Sequence, residues 1–181
     1  MANATHVALL RGINVGGKNR VPMRDLVGIF EAAGAHDVRT YIQSGNVIFR
    51  SEDAASAVAS AAHELLVART GLAVPIVLRG RAEFETMAAN NPFLDHEGAP
   101  RALHVAFLAK EPDRATRDRL DPERSPGDAF ELRGRDVYLH CPNGMARSKL
   151  TTAFFDRGLE TTSTVRNWRT VLALRERLAP A

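Results

Sequence analysis

The chain has 181 residues, of which 45% are hydrophobic and 25% are charged, and this composition excludes a disordered or fibrous protein. A chain of this length buries roughly 70% of its unfolded surface and needs no disulfide or metal to fold. Its single cysteine, Cys141, cannot form an internal disulfide, which predicts a reducing, cytoplasmic location. The first apolar run, residues 7–10, is too short for a signal peptide or a membrane span, so we expect no membrane association.

The net charge of +3 hides a separation of charge along the chain. Residues 1–24, 38–51, 137–155 and 161–175 contain basic residues and no acidic residue. These four stretches carry a summed charge of +11, which leaves −8 on the remainder. If they meet in the folded chain they form a surface that attracts anions, although acid-free stretches also arise by chance. Arginine and alanine are abundant throughout, which is also typical of a GC-rich genome. The charge count alone therefore does not distinguish an anion-binding surface from a chance distribution of charge.

The first half of the chain is predicted to form strand, helix, hairpin, helix and strand. The apolar runs and the helical spacing of apolar residues place these elements at residues 5–11, 23–33, 38–42 with 47–50, 53–71 and 74–79. Asp53 is the expected cap of the second helix, and Gly71 its end. This order is the split βαβ arrangement of ferredoxin-like folds.

The same order of elements recurs in the second half. Strands are expected at residues 103–108, 129–132, 136–140 and 161–165, with helices at 112–120, at 148–157 behind a Ser148 cap, and at 167–178. Residues 81–90 are predicted to be helical and lead into a loop that reaches Pro100. The sequence therefore predicts an α+β protein with two tandem ferredoxin-like (βαββαβ) units and a C-terminal helix. The expected boundaries are residues 1–80 for the first unit, 81–101 for a connector and 102–181 for the second unit with its closing helix.

A glycine-rich segment, residues 12–19, directly follows the first predicted strand. Its spacing, G-x-x-x-x-G-K-N, differs from a phosphate-binding P-loop because Asn19 replaces the magnesium-binding hydroxyl and Val21-Pro22 precedes the next helix. Glycines and one lysine in a loop between strand and helix can still present backbone N–H groups to an anion. A connection that needs positive φ angles explains the glycines equally well, but it leaves Asn14, Lys18 and Asn19 unexplained.

Three further segments combine polar and basic residues. The segment Gln43-Ser44-Gly45-Asn46 fits a tight hairpin turn, which is the simpler explanation, with Tyr41 beside it. Arg147, Ser148 and Lys149 open a predicted helix, whose N-terminus would attract an anion. Arg166 and Asn167 precede the last helix in the same manner, with Trp168 expected to anchor the core.

Other kinds of site are not indicated by the sequence. The six histidines are scattered without the spacing of a zinc site, so no metal and no cofactor is predicted. No nucleophile elbow or catalytic triad stands out. RNA binding through exposed aromatic residues on a sheet is disfavoured, because the third strand, residues 47–50, offers only Phe49.

The four segments together resemble a known family. ALLRGINVGGKN (residues 8–19), TYIQSGNV (40–47), ARSKL (146–150) and TVRNWRT (164–170) are similar to the signatures of the bacterial domain of unknown function 1697, over essentially the whole chain. The resemblance implies a small stand-alone cytoplasmic protein with a duplicated α/β arrangement. It implies no activity and therefore no catalytic residue.

Three functions stay open at this stage. The first is binding of an anionic, phosphate-bearing ligand, either a small molecule such as a nucleotide or a nucleic acid. The expected ligand-binding residues are Arg11, Asn14, Gly16, Gly17, Lys18, Asn19, Gln43, Ser44, Asn46, Arg147, Ser148, Lys149, Arg166 and Asn167. The second is a small enzyme that uses a lysine, serine or tyrosine of these segments, and the third is a protein–protein adaptor in which the segments are structural. Arg79 and Arg119 lie outside the signatures, so their alanine variants are the expected controls of equal charge change for a Lys18→Ala variant. The sequence does not determine the oligomeric state.

Overall fold

The computed structural model describes residues 4–96 and 100–179, which form eight strands and six α-helices. The first half comprises β1 (Ala4–Leu10), α1 (Met23–Ala32), β2 (His36–Tyr41), β3 (Asn46–Ser51), α2 (Ala55–Thr70), β4 (Ile76–Gly80) and α3 (Arg81–Ala89). The second half comprises β5 (Leu103–Leu108), α4 (Arg114–Arg117), β6 (Ala129–Arg133), β7 (Asp136–His140), α5 (Thr152–Leu159), β8 (Ser163–Asn167) and α6 (Trp168–Leu178), with one turn of 3₁₀ helix (Met145–Arg147) before α5.

Each half forms a four-stranded antiparallel sheet. The strand orders are β2-β3-β1-β4 and β6-β7-β5-β8, so that the first strand of each half lies between its third and fourth strands. This pairing is the ferredoxin-like topology. The α+β fold with two tandem ferredoxin-like units and a C-terminal helix, expected from the order of elements, is therefore confirmed.

The first unit has a hydrophobic core between one face of its sheet and its helices. Alternate residues of β1 and β3 point into this core because successive side chains of a strand face opposite sides. The buried cluster includes Ala8, Leu10, Val47 and Phe49 from the strands and Leu26, Phe30, Val58 and Leu66 from α1 and α2. Burial of each large side chain contributes about 1.5–3 kcal/mol.

The second unit repeats this arrangement with fewer helical residues. Its buried cluster includes Ala106, Leu108, Val137 and Leu139 from the strands and Phe155 and Leu159 from α5. Cys141 belongs to the same cluster, and burial raises the pKa of its thiol to about 11. The thiol is therefore protonated at neutral pH and serves as a small apolar residue.

The chain separates into two compact units. One contains the residues through Glu85 together with those from Leu174 onward, and the other is Thr86–Ala173. The dividing points fall inside α3 and α6. The boundaries expected from the sequence stay a prediction.

The two halves also share residues at equivalent positions. His6, Val7 and Ala8 of β1 correspond to His104, Val105 and Ala106 of β5. Val7 pairs with Arg79 of β4, and Val105 pairs with Arg166 of β8. In each case the arginine donates a hydrogen bond to the carbonyl oxygen of the preceding residue, at 2.8 Å for Arg79 and 2.9 Å for Arg166. The duplication is therefore visible in the residues as well as in the order of elements.

Some element boundaries differ from the sequence-based expectation. The second helix begins after Ala54, and Asp53 provides no side-chain cap. Helix α4 covers only Arg114–Arg117, because the following N–H groups of Arg119 and Leu120 bond three residues back, as in a 3₁₀ turn.

The helix expected behind Ser148 begins later. Ser148 has an extended backbone, and its Oγ accepts a hydrogen bond from the N–H of Leu150 at 3.0 Å. Thr151 is the cap instead, accepting from the N–H of Phe154 at 3.2 Å, and α5 starts at Thr152.

In the part of the chain that the structure describes, no helix is both long enough and apolar enough to span a bilayer.

The expectation that Arg79→Ala is a control of charge alone is wrong, because Arg79 is only 1% exposed. We predict that Arg79→Ala lowers the free energy of unfolding by about 3 kcal/mol, since it opens a cavity and removes a buried hydrogen bond. Arg119 pairs with Glu160 at 2.8 Å with both side chains 60% exposed, so Arg119→Ala changes stability by about 0–1 kcal/mol. Urea unfolding of the two variants measures the difference, and equal losses would contradict it.

Candidate functional site

The first two signatures meet at one end of the first sheet. Leu9 pairs with Asn46, and Leu10 pairs with Ile76, so the end of β1 lies beside the starts of β3 and β4. The connections 11–22, 42–45 and 71–75 therefore share this end, which we call the loop end of the first unit. The N–H of Leu10 donates to the carbonyl oxygen of Gly45 at 2.8 Å and joins the two signatures directly.

Residues 12–19, the glycine-rich loop, fold as a miniature hairpin. The N–H of Lys18 donates to the carbonyl oxygen of Val15 at 3.1 Å, and Gly16 and Gly17 between them have φ angles of 58° and 75°. Positive φ at both central residues is the type I′ turn of tight hairpins. Because α1 begins only at Met23, the segment is not a P-loop, in which the helix follows the glycines at once.

Two asparagines hold the shape of the glycine-rich loop. The carboxamide of Asn14 accepts from the N–H of Val21 at 2.9 Å and donates to the carbonyl oxygens of Val21 and Gln43 at 2.9 and 3.0 Å. The Nδ2 of Asn19 donates to the carbonyl oxygen of Gly12 at 3.0 Å. These bonds give both residues a structural role, and their contact with a ligand stays a prediction.

The hairpin turn between β2 and β3, residues 42–45, packs against this loop. The buried side chain of Asn46 donates to the carbonyl oxygen of Tyr41 and to Ser44 Oγ, both at 3.0 Å. A Cβ atom on Gly45 would lie 2.9 Å from side-chain atoms of both Leu10 and Ile13. Glycine at this position therefore allows the turn to contact the loop.

Basic and polar groups of the loop end face solvent. Gly16, Gly17, Lys18, Arg20 and Gln43 are exposed, and Arg11 is half-buried. The three connections at this end contain three basic residues and no acidic residue, whereas Asp37, Glu52 and Asp53 lie toward the opposite end of the sheet. The connections of the loop end therefore carry only positive charge, while Asp25 lies in the first turn of α1 and Arg50 pairs with Asp37 at the opposite end.

The third signature lies in a loop and not at a helix N-terminus. Arg147 and Lys149 are exposed, and Ser148 Oγ and Ser125 Oγ accept hydrogen bonds from the N–H groups of Leu150 and Lys149, both at 3.0 Å. The expectation that these residues open a helix is wrong, because α5 starts at Thr152, and their contact with an anion stays a prediction.

The fourth signature divides between the interior and the surface. Arg166 is 8% exposed, and its Nη1 donates to Thr164 Oγ1 at 2.8 Å and to the carbonyl oxygen of Val165 at 2.9 Å. Burial lowers the pKa of its guanidinium to about 10. Asn167 is exposed and caps α6, accepting from the N–H of Thr170 at 2.8 Å, and Trp168 is buried as expected.

The third and fourth signatures reach the same end of the second sheet. Leu103 at the start of β5 pairs with His140 at the end of β7, and His104 pairs with Asn167 at the end of β8. β7 and β8 lie on either side of β5, so the end of β7 and the end of β8 are separated by two strand spacings, or roughly 10 Å. The structure thus joins the first two signatures within the first unit, and in the second unit the ends of β7 and β8, which lead to the third signature and contain the fourth, share one end of the sheet.

A cleft of about 240 Å³ opens at this end of the second sheet. Its walls are Pro100, Arg101, His104, Asn167 and Arg169, and we call it the second-unit cleft. Of these only Asn167 was expected from the sequence. Arg101 was missed because it falls in the expected connector, and His104 because it lies in an apolar strand. Arg169 directly follows Trp168 in the fourth signature, and this position is the sequence signal that could have identified it.

Metal-binding side chains do not cluster in residues 4–96 and 100–179, where no group of three or more histidine, cysteine, aspartate or glutamate residues could hold an ion. Burial lowers the pKa of His104, whose Nδ1 lies 3.4 Å from the carbonyl oxygen of Ala102. Its imidazole is therefore neutral at pH 7.

The contact of Gly45 with the loop is testable by a matched pair of glycine variants. Gly45 and Gly71 have φ angles of 76° and 71°, but only Gly45 lacks room for a Cβ. We expect Gly71→Ala to lower the free energy of unfolding by about 1 kcal/mol, through the left-handed backbone alone. Gly45→Ala adds overpacking and should cost about 3 kcal/mol. Similar unfolding midpoints for the two variants would refute the close contact.

Comparison with known proteins identifies the family. No functionally curated protein matches the chain. Among solved structures, the conserved bacterial protein SP0830 from Streptococcus pneumoniae is similar, with a TM-score of 0.76 at 22% identity over 97% of this chain and 99% of that one. At this identity the likeness concerns the fold. The model of DUF1697, described as a protein of unknown function, matches residues 4–138, and the chain therefore belongs to the DUF1697 family.

Proposed function

We propose that the protein binds a phosphate-bearing anion at the loop end of the first unit. The observation that carries this proposal is the charge of that end, where the connections present Arg11, Lys18 and Arg20 without an acidic residue. Cations that converge on one end of a sheet raise the local concentration of anions and guide them to the surface.

Lys18 is the proposed centre of the site. Its exposed side chain extends from the tip of the miniature hairpin, next to the exposed backbone of Gly16 and Gly17. Within the described residues, the N–H groups of these two glycines make no hydrogen bond, so they are open to phosphate oxygens. Asn14, Asn19 and Asn46 support the site by fixing the loop and the turn, as their backbone bonds indicate.

Two exposed apolar side chains favour a ligand with a nonpolar part. Val15 is 61% exposed and Ile42 is 49% exposed, and they belong to the loop and the turn that the Asn14–Gln43 hydrogen bond joins. Ile42 has a φ angle of 49°, which is rare for a β-branched residue. A nucleotide, free or within a nucleic acid, combines phosphate charge with a base and a sugar that can contact such side chains.

The proposal concerns binding without turnover. An enzyme built on a lysine requires a desolvated or crowded amine. Lys18 and Lys149 are both exposed, which does not provide that environment.

The chain contains three lysines, which provide a matched test of the site. We expect Lys18→Ala to weaken binding of a nucleoside triphosphate or an oligothymidylate by about 2 kcal/mol, the range for loss of a hydrogen bond to a charged group. Lys110→Ala removes the same charge from an exposed position outside the signatures and should leave affinity unchanged. Lys149→Ala measures the contribution of the third signature. Titration calorimetry gives the affinities, and urea unfolding should show no loss of stability in any variant.

Equal losses in all three lysine variants would show diffuse attraction and would exclude a site at Lys18. Loss of stability in Lys18→Ala together with no binding by the unmodified protein would favour the adaptor hypothesis instead.

Salt dependence distinguishes the two forms of the ligand. An oligothymidylate that contacts several phosphates should lose affinity with a slope near −0.7 per phosphate in a plot of log K against log salt. A single nucleotide releases fewer counterions and should show a shallower slope. An affinity that does not change between 50 and 200 mM salt, roughly the range over which phosphate contacts are screened, would contradict a phosphate-directed site.

A further inference from the structure

The second-unit cleft is small and formed by paired strands. His104 and Asn167 are register partners on β5 and β8, so their positions are fixed by the sheet. The volume of about 240 Å³ is below the roughly 300–1,000 Å³ of pockets that hold drug-sized ligands. The cleft therefore suits a ligand of a few heavy atoms.

Two arginines of the cleft have no partner in the described residues. Arg101 and Arg169 are exposed, and neither makes an ion pair or hydrogen bond within residues 4–96 and 100–179. By contrast, Arg117, Arg119 and Arg133 each pair with a glutamate within 3 Å. None of the described residues on the walls of the cleft is acidic. Two positive charges thus share one concavity in which the described residues provide no negative charge.

Asn167 adds a donor of fixed orientation. Its Oδ1 accepts from the N–H of Thr170 at 2.8 Å, which leaves its Nδ2 as the group available to a ligand. The position is also the cap of α6, an 11-residue helix whose N-terminal dipole favours negative charge. The arginines, the amide and the helix therefore all favour an anion with several acceptor oxygens.

His104 forms an uncharged wall of the cleft. Its Nδ1 lies 3.4 Å from the carbonyl oxygen of Ala102. Burial keeps the ring neutral by lowering its pKa. The positive charge of the cleft therefore comes from its two arginines.

From this arrangement we propose that the second-unit cleft binds the dianion of a small phosphomonoester, with Arg101, Arg169 and Asn167 donating to its oxygens. The site uses none of the residues of the loop end, so it stands or fails independently of the function proposed above.

The test follows the ¹H–¹⁵N resonances of the full-length protein at pH 7 during titration with methyl phosphate. We expect saturable shifts of the Asn167 side-chain amide, the Thr170 N–H and the His104 imidazole. Methyl sulfate has a similar size but a single negative charge, and it should bind at least tenfold more weakly. Equal affinity for the two esters would overturn the assignment to phosphomonoesters.

Variants separate the site from general attraction. Arg101→Gln/Arg169→Gln should raise the Kd of methyl phosphate at least tenfold, whereas Arg114→Gln/Arg119→Gln, which removes two exposed arginines paired with acids, should leave it unchanged. Asn167→Asp keeps the helix cap but replaces the donor with a negative charge, so it should abolish the shifts without lowering the melting temperature. Unshifted resonances at the cleft, or equal losses in both double variants, would refute the proposal.

Discussion

The carboxamide of Asn14 joins three parts of the first unit that are distant in the chain. It accepts a hydrogen bond from the N–H of Val21 and donates to the carbonyl oxygens of Val21 and Gln43. It therefore links the glycine-rich loop to the segment before α1 and to the hairpin turn. The miniature hairpin carrying Gly16, Gly17 and Lys18 starts from this anchor. The direction in which Lys18 extends, and with it the proposed phosphate site, depends on these hydrogen bonds.

The two units share one topology, but their candidate sites lie at opposite ends of the sheet. In the first unit the basic connections follow the end of β1, and in the second the cleft lies at the start of β5. The equivalent connection after β5 holds Glu111 and Asp113, with Asp113 capping the short helix α4. Duplication therefore preserved the strands and their pairing, while the loops at each end acquired separate chemistry.

The sequence predicted the strands and the order of elements, because a strand buried on both faces is a continuous apolar run. For example, β5 has the bounds that its apolar run predicts. It placed α5 too early, because Ser148 and Thr151 are both suitable caps and only the folded chain shows that Thr151 accepts from the N–H of Phe154. The glycine-rich loop could be singled out but not explained, since Asn14 bonds a residue 29 positions away. The cleft could not be predicted, because it arises from the pairing of His104 with Asn167.

The buried arginines Arg79 and Arg166 place a charge at the same position of both units. They occupy the same register in β4 and β8, and each donates to the backbone carbonyl oxygen of the residue before it, although a charge inside a protein is costly to desolvate. The duplicated fold therefore carries the same desolvation cost twice, and in each unit the hydrogen bonds of one guanidinium offset it.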